Sequence, residues 1–111
     1  MSNIDSLQEL SKKIDAFNKE RDWDKFHSPA NLAKSISIEA SELLECFQWS
    51  DTDYSIESVK SELADVISYC IQMAAVLKFD IKDIVLEKLV ETEKKYPVEK
   101  AKGVSIKYDK L

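Results

Sequence analysis

A single glycine and two prolines are all the turn-forming punctuation this chain has over 111 residues, and that scarcity limits its fold more than any other feature. A protein of short strands needs tight turns at close intervals, and tight turns draw on glycine and proline. A few long helices joined by brief connections need almost none, so the expected class is all-α. Hydrophobic residues at 44% are enough for a globular core. The length fits one domain over 1–111, with room for a core and something to gain from oligomerisation.

Periodicity divides the chain into four helices. Ile4, Leu7, Leu10, Ile14 and Phe17 recur at three- and four-residue intervals, predicting an amphipathic helix over 3–22. The stretch from Arg21 to Ser28 mixes aromatic and charged residues and has no helical period. Ser28 followed by Pro29 is a good cap and first residue for a second helix, from Pro29 to about Gln48, with Leu32, Ile36, Ala40, Leu43, Leu44 and Phe47 on its apolar face. After a polar, acidic connection, Ser55 caps a third helix running to about Leu77. Asp80 caps a fourth, to about Lys95, with Ile81, Ile84, Val85, Leu86 and Leu89 turned inward and Pro97 ending it. The tail from Val98 to Leu111 has no firm period. A four-helix bundle results.

Two acidic pairs interrupt this apolar pattern. Glu39 and Glu42 lie among Ile38, Ala40, Leu43 and Leu44; Glu62 and Asp65 lie beside Leu63, Val66 and Ile67. Three-residue spacing puts the members of each pair on one helical face. Turned toward each other, the two faces gather four negative charges that repel unless a cation sits among them. Any single carboxylate among the 21 in the chain is more simply a solvated one, and short acidic patterns arise often by chance. The sole histidine, His27, does not follow a glutamate by three residues and neither cysteine is placed for zinc, which argues against di-iron and zinc chemistry. All-oxygen ligation suits Mg²⁺, with Mn²⁺ as a substitute, the ions that accompany phosphate esters.

The net charge of −5 argues against a protein that grips nucleic acid, though a nucleotide remains possible where metal neutralises its phosphates. Cys46 and Cys70 lack CxxC spacing and read as reduced, partly buried thiols of a cytoplasmic protein. The polar, acidic N-terminus is unlike a signal peptide, and no apolar tract is long enough for a bilayer.

The residues taken together carry more. Arg21-Asp22-Trp23, Phe26-His27, Pro29 and Asn31-Leu32, then Glu39-Ala40-Ser41-Glu42-Leu43-Leu44-Glu45-Cys46-Phe47-Gln48-Trp49, then Glu62-Leu63-Ala64-Asp65-Val66-Ile67-Ser68-Tyr69 closely resemble the MazG-like all-α nucleoside triphosphate pyrophosphohydrolases, and among them the dCTP pyrophosphatase branch. Lys88, Lys95-Tyr96-Pro97 and Lys107-Tyr108 extend the match over nearly the whole chain. The resemblance implies hydrolysis between the α- and β-phosphates of a nucleoside triphosphate, giving monophosphate and pyrophosphate. Glu39, Glu42, Glu62 and Asp65 fall on the Mg²⁺-binding positions, with Glu39 and Glu42 as catalytic candidates and Glu39 orienting or deprotonating the attacking water. Glu45 is either an auxiliary carboxylate or a solvated one. Trp23 and Trp49 fall where the dCTP-directed relatives enclose the base, His27, Asn31 and Tyr69 fall near the nucleotide, and Lys88 and Lys95 fall near phosphate.

Two positions depart from the family pattern. Thr92 replaces an asparagine on the fourth helix, and Ile14 stands where dCTP-directed relatives have a histidine near the base. The resulting expectation is a Mg²⁺-dependent enzyme that cleanses the nucleotide pool of dCTP or a modified dCTP, assembled as a homodimer or as a homotetramer of paired dimers. The alternatives are the same reaction on dUTP, phosphoribosyl-ATP or a damaged nucleotide, and a catalytically silent helical oligomer that binds a nucleotide or a partner protein.

Overall fold

The computed structural model describes residues 5–111, and among these there is no strand. The chain divides into two compact units, one ending at Phe79 and the other spanning Asp80–Leu111.

In the first unit α1 covers Ser6–Glu20. Residue 3 and Ile4, part of the predicted helix, lie outside the described residues. Asp5 starts α1 by a reciprocal cap: its carboxylate accepts from the Gln8 backbone N–H at 2.7 Å, and the Gln8 side-chain oxygen accepts from Asp5 N–H at 3.3 Å. The helix ends two residues before the predicted limit because Asp22 takes a left-handed conformation, φ 55°. Trp23 N–H then reaches back to Asn18 O at 3.0 Å and Asp22 N–H to Lys19 O at 3.1 Å. This double closure is a Schellman motif, and its usual apolar contact is present, with Trp23 edge-on to Phe17 at 5.6 Å between ring centroids. The next turn is a short 3₁₀ segment, Asp24–Phe26.

Ser28 accepts from Asn31 N–H and Pro29 opens α2, Pro29–Glu45. The last residues expected in this helix instead wind into tighter turns, with Phe47 N–H bonded to Leu44 O and Gln48 N–H to Glu45 O. Ser55 caps α3, Ile56–Val76, through Ser58 N–H. A second Schellman closure ends α3: Lys78 is left-handed at φ 60°, and Phe79 N–H bonds Ala74 O at 2.8 Å. The broadest packing is α2 on α3, with α1 against α3. Leu32, Ile71 and Ala74 form the fully buried apolar set, and Asn18 is buried with them.

In the second unit Asp80 caps α4, Ile81–Lys95, through Asp83 N–H at 3.0 Å, and Tyr96-Pro97 stops it. The apolar face expected to turn inward is only partly covered: Ile81 is half-buried, while Ile84, Val85, Leu86 and Leu89 are 40% to 57% exposed. Helical period identifies a common face but does not supply a surface to cover it. Beyond Pro97 the tail, which has no clear period, forms a one-turn helix α5, Val98–Ala101. A turn at Gly103 (φ 79°) and a 3₁₀ segment, Tyr108–Lys110, follow. Tyr96 ties this tail down, its hydroxyl accepting from Tyr108 N–H at 3.1 Å. Of the two thiols expected to be partly buried, Cys46 is, but Cys70 is exposed. Among the described residues no helix is long and apolar enough to cross a membrane.

Candidate active site

Packing of α2 on α3 brings Glu39 and Glu42 to face Glu62. One carboxylate oxygen from each lies within 4.8 Å of the others. Glu39 and Glu62 are half-buried and Glu42 is exposed. Glu39 Oε2 and Glu62 Oε2 are shielded from solvent, yet neither has a hydrogen-bond partner. A shielded carboxylate oxygen without a donor is costly, and three acidic groups this close repel one another.

The energetics show in the protonation of the cluster. The adjoining Glu42 carboxyl, close enough to share a proton with Glu39, raises Glu39 to about 7; desolvation and the charges of Glu42, Asp65 and Glu62 push the same way. Glu62 is also raised, first by its contact with Glu42, then by desolvation and the charges of Glu42 and Asp65. A hard divalent cation would relieve both problems, giving the orphaned oxygens a ligand and the charges a counterion. The donor set is all oxygen and fits such an ion.

Asp65 is exposed, one turn along α3 from Glu62, and lies outside this triad. Its charge nevertheless reaches Glu39 and Glu62. Asp65 also helps line a cavity of about 360 Å³ together with Phe17, Trp23, His27 and Tyr69. The cavity's size suits a small-molecule ligand. The Schellman closure of α1 is what carries Trp23 back to this wall beside Phe17, and Arg21 stacks on Phe17 at 3.7 Å from the ring centroid. Three of the aromatic and polar residues predicted for the nucleotide, Trp23, His27 and Tyr69, therefore meet on one cavity.

The others have different surroundings. Asn31 Nδ2 donates to Phe26 O at 3.0 Å, joining the 3₁₀ turn to the start of α2. Trp49, just past the end of α2, is 89% exposed. Lys88 and Lys95 in the second unit both pair with Glu91, at 3.3 and 3.4 Å, holding the Glu91 carboxyl below its ordinary range, and Lys95 lies over the Tyr108 ring. Glu45 is exposed. Thr92, the substituted position, uses its hydroxyl on its own helix, donating to Lys88 O at 2.9 Å. The cavity wall also holds residues that the sequence did not single out as ligands: Asn18, Ser68 and Gln72. One signal was available for Asn18, a polar residue one turn after Ile14 on the apolar face of α1.

With this geometry in view, comparison with known proteins is informative. The family model described as MazG-like matches residues 34–111, which contain all four carboxylates. The chain belongs to the MazG-like family. Its relatives include dCTP pyrophosphatase 1 of Mus musculus, 33% identical over 96% of this chain and 68% of the relative. The Homo sapiens protein of the same name is 31% identical over the same shares of the two chains. A crystal structure of a pyrophosphatase from Archaeoglobus fulgidus superposes with a TM-score of 0.76 at 36% identity, covering 87% of this chain and 97% of that one. The chain is an enzyme, a nucleoside triphosphate pyrophosphohydrolase of the MazG-like family.

Proposed function

We propose that this enzyme hydrolyses dCTP, or a modified dCTP, to the monophosphate and pyrophosphate with Mg²⁺ as its cofactor. The observation that carries the reading is the triad of Glu39, Glu42 and Glu62, with two shielded, partnerless oxygens, and an aromatic-walled cavity lined by Asp65, one turn along α3 from Glu62. The names of the mammalian relatives supply the substrate.

In this reading Glu39, Glu42, Glu62 and Asp65 hold the ion. When bound, it would neutralise phosphate charge and polarise the phosphoryl oxygens as a Lewis acid. Trp23 and Tyr69 bound the base and sugar in the cavity, and His27 adds a polar group there. Stacking on the Trp23 ring holds a base without demanding one sequence of polar atoms. That anchoring directs the triphosphate toward the carboxylates, with Asp65 as the shared wall. Glu39 orients the attacking water and takes its proton as the water oxygen bonds to the α-phosphorus; the bond from that phosphorus to the α–β bridging oxygen breaks, and pyrophosphate departs with the electron pair. Asn31 supports the wall by fixing the turn between Trp23 and His27, its Nδ2 bonded to Phe26 O.

Homo-oligomerisation is part of the proposal. Leu44 and Trp49 on the first unit are 71% and 89% exposed, and Val98 on the second is 72% exposed. Such side chains gain from burial against a second copy, and a neighbouring subunit would bring Trp49 into a base pocket. The proposed setting is the cytoplasm, and the proposed role is to cleanse the nucleotide pool.

A hydrolysis panel of the four dNTPs, dUTP, the NTPs and 5-methyl-dCTP, with pyrophosphate and orthophosphate distinguished, tests this. Mg²⁺-dependent pyrophosphate release with a cytosine preference is the expected result. Preference for another base reassigns the substrate, and orthophosphate as the product rejects the bond proposed for cleavage.

A further inference from the structure

The cavity contains a polar array that the proposed chemistry does not use. Asn18, only 6% exposed, donates from Nδ2 to Gln72 Oε1 at 2.8 Å. Gln72 in turn donates from Nε2 to both the backbone oxygen and the hydroxyl oxygen of Ser68, each at 3.3 Å. All three residues line the cavity that holds Trp23 and Tyr69.

The direction of this chain of bonds is set by one atom. The Ser68 carbonyl oxygen can only accept, so the Gln72 amide must turn its nitrogen to Ser68 and its oxygen to Asn18. Asn18 must then turn its nitrogen to Gln72. Its Oδ1 is left over, and no described group is hydrogen-bonded to it. An unlocked asparagine could rotate its amide by half a turn and exchange acceptor for donor. This one cannot do so without setting oxygen against oxygen at Gln72 and breaking a buried bond.

We propose that Asn18 is a specificity-determining residue that accepts a hydrogen bond from the exocyclic amine of the nucleobase, and that Gln72 and Ser68 are positioning residues that hold its amide in that orientation. The inference rests on the reading above, in which the cavity takes the base and the carboxylates take the phosphates. Cytosine presents an amine next to an unprotonated ring nitrogen. Its N–H meets Asn18 Oδ1, and its ring nitrogen can accept the remaining Nδ2 hydrogen. Uracil in the same register presents a keto oxygen where the amine would be, and that oxygen faces Oδ1 as acceptor to acceptor.

The test is kcat/KM for dCTP and dUTP, which differ only at this edge, in the wild-type enzyme and in Asn18→Ala and Gln72→Ala. Wild type should prefer dCTP. Asn18→Ala should raise KM for dCTP by about tenfold or more, as for loss of one buried hydrogen bond, with a much smaller change for dUTP. Gln72→Ala frees the amide to rotate and should lower the dCTP-to-dUTP ratio by about tenfold, chiefly through a lower KM for dUTP. A purely structural role would weaken both substrates together and leave the ratio where it was, which overturns the assignment. If Asn18→Ala does not fold, judged by circular dichroism, the Gln72→Ala ratio decides alone. Equal wild-type rates on dCTP and dUTP overturn the role of Asn18 and leave the phosphate chemistry standing. Absence of turnover on every triphosphate overturns both.

Discussion

Because the carboxylate cluster holds on to its protons, its affinity for metal should depend on pH in a way an ordinary acidic site would not. The perturbation is a pH series of Mn²⁺ binding without nucleotide. A divalent ion binds the deprotonated form, so the apparent association constant follows the ionised fraction of the ligand. With Glu39 raised to about 7, that fraction grows by about fiftyfold between about pH 5 and pH 7, then only about twofold by about pH 8. A carboxyl at its ordinary value would change by less than about twofold over the whole span. Glu62 is raised as well, so the measured rise should equal or exceed the figure for Glu39 alone. Electron paramagnetic resonance of free Mn²⁺ reads the binding directly, and calorimetry in buffers of different ionisation enthalpy counts the protons released. Stability without metal has a matching sign. A carboxyl raised on folding favours the folded state below its unfolded value, and that contribution is lost as pH climbs toward about 7. The melting temperature should therefore fall over that window in chelator and recover with Mn²⁺. An affinity that varies by less than about threefold from about pH 5 to pH 7 would refute the reasoning.

Other outcomes follow from single side chains. Glu42→Gln should keep the helical circular dichroism spectrum but lose turnover by at least about a hundredfold, because it removes a charge from the triad; unchanged turnover removes Glu42 from the site. Leu32→Ala, at a fully buried position, should cost about 2–5 kcal/mol in chemical denaturation. Lys78→Gly should stabilise the fold by about 0.5–1 kcal/mol, since Lys78 is held at φ 60° where a side chain is strained; a loss of stability would mean that the lysine side chain contributes more than the strain costs.

How far the sequence discloses the fold depends on whether the signal is local. The caps at Ser28, Ser55 and Asp80 are each formed as the sequence implies, because a cap is decided within four residues. Helix ends were less legible. Asp22 and Lys78 both occupy the left-handed position of a Schellman closure, where glycine is the usual marker, and a chain with one glycine carries no such marker. The pairing of Glu39 and Glu42 with Glu62 could be anticipated from spacing, but not the exclusion of Asp65 from the closest triad, which is a matter of how α3 packs on α2. The sequence marks Asn18 only by its place one turn after Ile14 on the apolar face of α1. Its burial and its bond to Gln72, 54 positions away, are tertiary facts that no local window contains.

The same geography separates chemistry from recognition. The carboxylates sit on α2 and α3, whose mutual packing is the most extensive in the first unit. Trp23, Phe17 and Asn18 sit at the end of α1, which meets α3 over a smaller area and reaches the cavity through a backbone closure. Substitution on α1 can thus alter what the cavity accepts without moving the helix pair that gathers the charges. Ile14, on the same helix face as Asn18, illustrates the point. It lines the cavity with an apolar side chain, which in the proposed reading leaves polar readout of the base to the amide one turn on. If that division holds, exchanging residues 14 and 18 should shift base preference through KM while kcat, proposed to be set by Glu39, Glu42 and Glu62, stays within about threefold for whichever base is accepted. A change in kcat that tracked each α1 substitution would show instead that the two sets of residues act as one.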